Sequence, residues 1–299
     1  MIAVLGGLGA AVCFTISALC ASASSRAIGA QSTLAWVMLI GLVLILPPTV
    51  LLADPAQLTW PILGLLAVAG ASGVAGLLIE YVAFRRGKVG VVTGIASTEG
   101  MVAALISAAA GARLHARTGL LLALVTVGVA VTAASPDAAS PDQGPADADP
   151  GGPGRPGGPG GRTVRAAVLA LPVALLFGLT LYTTGRIGAR ASVLWALLPA
   201  RLFGSVLLAA PLAARRKLRL TRRALPLVAA AGAAEVLGTL SYAVGARHQL
   251  AIAAVLASQF AALTAVAAFI LHGQRLTRAQ LAGLAAVVIG VSLVSALGQ

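Results

Sequence analysis

Residues 250–297, LAIAAVLASQFAALTAVAAFILHGQRLTRAQLAGLAAVVIGVSLVSAL, form two apolar runs of helix length parted by a short basic hinge, Gly273-Gln274-Arg275-Leu276. Tyr242 leads into the first run, and the second carries Gly290-Val291. The same plan occurs earlier in the chain. Tyr81 leads an apolar run, the hinge is Gly111-Ala112-Arg113-Leu114, and the next run carries Gly128-Val129. Gly273 lies 162 residues after Gly111, and Gly290 lies 162 after Gly128. Upstream the offset slips to 161, where Ile95-Ala96-Ser97 pairs with Leu256-Ala257-Ser258. Unlike landmarks held at one spacing are what an internal duplication leaves behind.

The 299 residues are 59% hydrophobic and 10% charged, with a mean hydropathy of +0.98. Soluble domains carry about 25% charged residues, so a soluble fold is excluded on composition. The apolar residues fall in runs of about 20, the length that crosses a hydrocarbon core of ~30 Å. In lipid only helices and closed barrels satisfy their own backbone groups. These runs are continuous and rich in Leu and Ala, so they read as helices of a multi-pass membrane protein.

The net charge of +13 would suggest a nucleic-acid partner in a soluble protein. Here the basic residues sit at the ends of the apolar runs, the ordinary interfacial pattern. No basic stripe interleaved with aromatics is present, so no nucleic-acid binding is expected. Cys13 and Cys20 lie two turns apart on one run, too far to bridge, and read as small hydrophobes. His115, His248 and His272 fall in separate hinges, so neither a metal site nor a cofactor is expected. The chain has no Asn and strongly prefers Arg to Lys, a composition expected of a GC-rich bacterial genome.

Taken in order, the first span covers about residues 2–21, and lacking a basic leader it reads as a true span. The second covers 32–52 and bends late at Pro47-Pro48; the third covers 60–84. Arg85-Arg86-Gly87-Lys88 turns the chain into the fourth, 89–110, and a fifth follows the next hinge to about residue 134. Residues 135–163 hold Asp137, Asp142, Asp147 and Asp149 and then Gly-Gly-Pro repeats, a composition that reads as a disordered linker. The run Gly151-Gly152-Pro153-Gly154 is no phosphate loop, because no strand precedes it and proline removes N–H donors. Five more spans follow, at about 164–182, 192–213, 225–246, 250–271 and 279–296. The expected architecture is all-α: ten transmembrane helices as two inverted five-helix repeats, residues 1–134 and 164–299. An odd number of spans per repeat sets the copies antiparallel, with a site near the midplane between them.

A charge at mid-bilayer costs about 2.5–3.5 kcal/mol on insertion scales, so each one asks for a reason. Glu99 lies near the centre of the fourth span beside Ser97 and Thr98. It reads either as a carboxylate facing a wet cavity, taking a proton or cationic substrate, or as a buried neutral acid bonded to a neighbouring helix. Glu235 lies mid-span among Ala233, Ala234 and Gly238, where a role in transport competes with a packing hydrogen bond. Glu80, close to Arg85, Arg86 and Lys88, reads as an interfacial ion pair. Arg201 is the one basic residue well inside a span and should pair with Glu235 or Glu99. Ser258 and Gln259 occupy the positions matching Ser97 and Thr98, so the halves can present related polar patches to one cavity. Tyr182, Trp195 and Tyr242 are candidates for stacking on substrate, against the commoner role of interfacial anchor. Gly6, Gly7 and Gly9, like the Gly70, Gly73, Gly76 series, read as packing faces. No Ser/His/Asp or Cys/His set exists, and no enzyme activity is expected.

At Pro199-Ala200-Arg201-Leu202-Phe203, with the apolar run and Arg215-Arg216-Lys217 after it, the chain resembles the drug/metabolite transporter superfamily, EamA-like type. Gly273-Gln274-Arg275-Leu276-Thr277 through Gly283 and Gly290-Val291 resembles the family's hinge and last helix. Departures are Gln274 and Ala112, where the family usually has Glu, and a missing proline near Thr98-Glu99 and Gln259-Phe260. The resemblance covers all but the linker. It implies export or exchange of small metabolites or toxic compounds across the cytoplasmic membrane, through a cavity between the halves. Alternating access, with protons as the candidate coupling ion and Glu99 or Glu235 as the acceptor, follows from that. The alternatives are a non-transporting membrane subunit or scaffold, and a lipid-carrier flippase. Orientation is open between two arguments. Fifteen Lys and Arg follow odd-numbered spans and five follow even ones, which puts both termini outside. The resemblance implies cytoplasmic termini.

Overall fold

The computed structural model describes residues 1–86, 98–112 and 159–260, together with positions 119–120, 123–124, 126–128, 263, 267, 282, 285–286 and 289. The expected linker up to residue 158, the hinge and last helix after residue 271, most of the fifth span and Ser97 lie outside the described residues, as does the side chain of Glu80. Among the described residues every regular element is helical. The helices are α1 (Ile2–Ile28), α2 (Ala30–Leu52), α3 (Trp60–Arg86), α4 (Glu99–Ala109), α5 (Pro159–Arg190), α6 (Val193–Gly204), α7 (Ala210–Ala214) and α8 (Ala224–Ala257). A 3-10 turn, Pro55–Gln57, joins α2 to α3, and a π-helical turn, Ser205–Ala209, fuses α6 and α7 into one rod. Six helical stretches are long and apolar enough to cross a membrane.

The boundaries overrun the expected spans. Helix α1 continues to Ile28 rather than ending near residue 21. Helix α5 starts at Pro159, inside the stretch read as linker, and continues past Tyr182 to Arg190. Proline suits a first helical turn, because its φ is already helical and its missing N–H would have had no partner there. At the far end a helix still offers the backbone its best hydrogen bonding as it leaves the hydrocarbon. Pro47 and Pro48 lie inside α2, which continues through them to Leu52.

Two corners are unusually tight. A single residue, Gly29, separates α1 from α2, at φ 85° and ψ 148°. That φ is open to glycine and strained for residues with a Cβ. The second corner is at Gln249 in α8, at φ −148° and ψ 97°. A straight helix of 34 residues would be about 51 Å long, well beyond a bilayer core. The break at Gln249 resolves this into the two spans read from the sequence, 225–246 and the start of 250–271. The arms fold back on each other, since a Cβ on Gly245 would stand 3.4 Å from that of Ala253.

The bent α8 is the centre of the bundle, with α1, α2, α4, α5 and α6 all packed on it. Contact is closest where glycine removes the side chain. A Cβ on Gly6 would sit 2.6 Å from the Cα of Gly245, and one on Gly7 2.8 Å from the carbonyl oxygen of Ala253. Ser241 Oγ donates to the Gly6 carbonyl at 3.0 Å, which ties α1 to α8 by a polar bond where lipid cannot compete. On α3, Gly70 receives the ring of Phe203 and Gly76 that of Phe177, while Ser72 and Thr180 share a 2.8 Å hydrogen bond. The outward faces are apolar, as Val43, Leu44, Val50, Leu51 and Leu52 of α2 illustrate. Small and polar residues inside with large aliphatics outside is the distribution lipid demands of a helical bundle.

Candidate functional site

Charge enters the bundle at two levels of the first arm of α8. Arg201 on α6 is 3% exposed and reaches Glu235 on α8, Nη2 to Oε1, at 3.5 Å. The same Nη2 donates to Thr239 Oγ1 at 3.3 Å, and Nη1 lies 3.6 Å from Met38 Sδ on α2. Thr239 in turn donates its hydroxyl to the Glu235 carbonyl, four residues back. The arginine stem passes over Gly41, whose hypothetical Cβ would stand 2.7 Å from Cδ and 3.0 Å from Nε. Glycine at that point lets the guanidinium cross between α2 and α8. Among the described residues, Arg201 Nε has no hydrogen-bond partner. The acid is the accessible member of the pair, with 29% of its side chain exposed.

Seven residues and two turns further along α8, on the same face, stands Tyr242. Its ring is buried, and its hydroxyl donates to the Leu181 carbonyl of α5 at 2.6 Å. Glu99, 7% exposed, lies one turn before Ala103, which packs in one buried cluster with Tyr242. Glu99 opens α4, with Thr98 at its N-cap. The second arm of α8 stops at the matching place, where Ser258 and Gln259 form a turn before Phe260. The start of α4 and the end of the second arm of α8 cross. A Cβ on Gly100 would lie 2.6 Å from Ser258 Oγ and 2.7 Å from the Ala254 carbonyl. Ser258 Oγ is turned to the Val255 carbonyl at 2.8 Å, and Gln259 Nε2 donates to that same oxygen. Gln259 Oε1 is buried without a partner among the described residues.

The structure therefore brings together Arg201 with Glu235, and Glu99 and Thr98 with Ser258, Gln259 and Tyr242. Of the two carboxylates offered to Arg201, geometry selects Glu235. Tyr182 is half-buried against the cluster of Tyr242, Ala246 and Leu250, so both tyrosines sit between helices rather than at an interface. Trp195 behaves as an anchor, its indole donating to the Asp54 carbonyl at 3.3 Å near the ends of α2 and α6. Sequence reasoning missed Met38, Gly41 and Thr239. Thr239 was within reach, as a hydroxyl one turn from Glu235, whereas nothing in the sequence of α2 points at Arg201.

A solved crystal structure with 16% sequence identity superposes with a TM-score of 0.74, over 99% of this chain and 96% of that one. At that identity the likeness is one of fold. No curated protein matches the chain by sequence. The profile of the EamA-like transporter family matches residues 1–134. With its long apolar helices, the chain is a multi-pass membrane protein, and its first 134 residues are similar to the EamA-like transporter family.

Proposed function

We propose that the chain is a secondary active transporter of the cytoplasmic membrane, exporting or exchanging a small metabolite or toxic compound by alternating access. In this proposal ten helices form two inverted five-helix repeats that rock about a midplane site, and protons are the coupling ion. Support comes from the family match over residues 1–134, from the duplicated hinge spacing, and from the crossing of the start of α4 with the end of α8.

The observation that carries the proposal is the line of ionisable and polar side chains along one face of α8. Glu235 with Arg201, then Thr239, then Tyr242 packed on the helix that Glu99 opens cover two turns at membrane depth. Each buried charge is expensive there, and a bundle held only by packing has no need of three. Glu99 and Glu235 are assigned to proton or substrate uptake, and Arg201 holds Glu235 in place. Thr98, Ser258 and Gln259 are assigned polar contacts at the crossing, with Tyr182 and Tyr242 beside it, and Ser97 is assigned with Thr98 from the sequence alone.

A metabolite uptake and efflux screen in over-expressing cells tests the assignment. Some solute should change its distribution with wild-type protein and not with Glu99→Gln or Glu235→Gln. A screen in which every solute behaves alike in all three strains refutes transport.

A further inference from the structure

We propose that the loop between α7 and α8 is a seat for an anionic phospholipid, its phosphodiester held by Arg219, Arg222 and Arg223 beside the ring of Trp36. The proposal is independent of what, if anything, the chain transports.

Residues 215–223, RRKLRLTRR, carry six cations in nine residues, and all six are exposed. The loop is nevertheless fixed to the bundle at three points. At its start the Lys217 N–H donates back to the Leu212 carbonyl at 2.8 Å, across Arg216 at φ 51°. A residue with a Cβ is strained there and stays only where its surroundings hold it. In the middle both backbone groups of Arg219 are bonded to α2. Its N–H donates to Ser32 Oγ at 3.2 Å, and its carbonyl accepts from the Trp36 indole at 3.0 Å. At its end the Thr221 carbonyl accepts from the N–H groups of Ala224 and Leu225, which closes Arg222 and Arg223 into a turn. Ala224 and Val228 then pack with Ile28, Trp36 and Ile40. Arg219, Arg222 and Arg223 thus fall within four residue steps, at most about 14 Å between Cα atoms, next to one tryptophan.

No described acid answers this charge. The ion pair among the described residues is Arg201 with Glu235, inside the bundle, where Glu99 is buried too. Asp54 lies beyond the far end of α2, about 33 Å from Ser32. Arg222 and Arg223 also precede the N-terminus of α8, where the helix dipole favours negative charge. The backbone there cannot take an anion by itself. The N–H groups of Ala224 and Leu225 are bonded to Thr221, and Pro226 has none. The guanidinium groups are left to do so, and their paired N–H donors match a phosphate. Clusters of this size beside a membrane helix attract anionic head groups. A lipid fits better than free phosphate, because Leu220 is 39% exposed within the run of cations and Trp36 is half-buried beside it. Tryptophan belongs at head-group depth, and apolar surface there favours only a ligand that brings hydrocarbon.

Native mass spectrometry of the full chain in detergent tests this, titrating phosphatidylglycerol against phosphatidylcholine with the same acyl chains. Phosphatidylglycerol should bind at least about tenfold tighter. Arg222→Gln with Arg223→Gln should weaken it about 25-fold, about fivefold for each cation at a membrane surface, and leave phosphatidylcholine unchanged. Arg222→Lys with Arg223→Lys keeps the charge and should retain most of the affinity, which guards against a glutamine variant that simply folds badly. Arg190→Gln with Arg247→Gln removes two exposed cations at the opposite end of the bundle and should alter binding by less than about twofold. Glycerol 1-phosphate should fail to displace the lipid. Equal binding of the two lipids, equal losses in the two glutamine pairs, or displacement by glycerol 1-phosphate overturns the proposal. A gain of about tenfold or more on replacing Asp137, Asp142, Asp147 and Asp149 by Asn gives the cations to the chain's own acids and overturns it too.

Discussion

Separating Arg201 from Glu235 should have unequal consequences depending on which partner is removed. Replacing Glu235 by Leu strands a guanidinium that is 3% exposed, keeps only Thr239 Oγ1 and a weak sulfur contact, and cannot shed its charge. Breaking a buried pair in this way costs about 3–5 kcal/mol. Glu235 retains 29% exposure, so part of the lost attraction was screened, and the lower end, about 3 kcal/mol, is expected. Replacing Arg201 by Met leaves an acid with 29% of its side chain accessible, and Met fills most of the volume over Gly41. About 1–2 kcal/mol is expected there, within the range for one polar group left short of partners. The double variant, Arg201→Met with Glu235→Leu, removes both charges and should return to within about 1 kcal/mol of wild type, as buried pairs replaced by apolar residues do. Reversible unfolding in mixed detergent micelles at rising SDS fraction gives all three values on one scale. Additive single effects, with the double variant worst of all, would refute the coupling on which the site is built.

Other consequences are open to simpler measurements. Gly100→Ala drives a methyl to 2.6 Å from Ser258 Oγ and 2.7 Å from the Ala254 carbonyl, and should destabilise by about 1–3 kcal/mol in the same unfolding assay. Gly73→Ala finds its nearest neighbour at 3.5 Å and should change stability by less than about 0.5 kcal/mol. Tyr242→Phe removes the 2.6 Å bond to Leu181 and should cost about 1 kcal/mol, because that carbonyl keeps its helical partner. The basic loop 215–223 is expected on the cytoplasmic side by the charge distribution. Thr221→Cys should then react with an impermeant maleimide only after the cells are opened, and labelling of intact cells would reverse the orientation.

The helices were legible in the sequence because bilayer thickness imposes a length, and Arg85, Arg86 and the 215–223 cluster punctuate the runs. The partner of Arg201 was nearly legible as well. Charges are so few inside the spans that elimination left two acids, and only contact geometry could choose between them. What could not be read was which sides of the helices meet. With apolar residues all round, α2 has no polar stripe to mark its inner face, so its opposition of Met38 and Gly41 to Arg201 emerges only from packing. The glycines show the same limit from another side. Gly70 and Gly76 read correctly as close-packing positions and Gly73 between them does not, while Gly41 and Gly100, spaced like no recognised motif, make contacts within 0.1 Å as close, at 2.7 and 2.6 Å against 2.6 Å.

The corner at Gly29 constrains how this bundle can rearrange. One peptide unit carries the whole reversal from α1 to α2, so there is no slack to let either helix slide like a piston while the other stays still. Any large displacement must swing the two together as a single V-shaped lever. Its fulcrum would lie where α1 presses glycine to glycine against the hub.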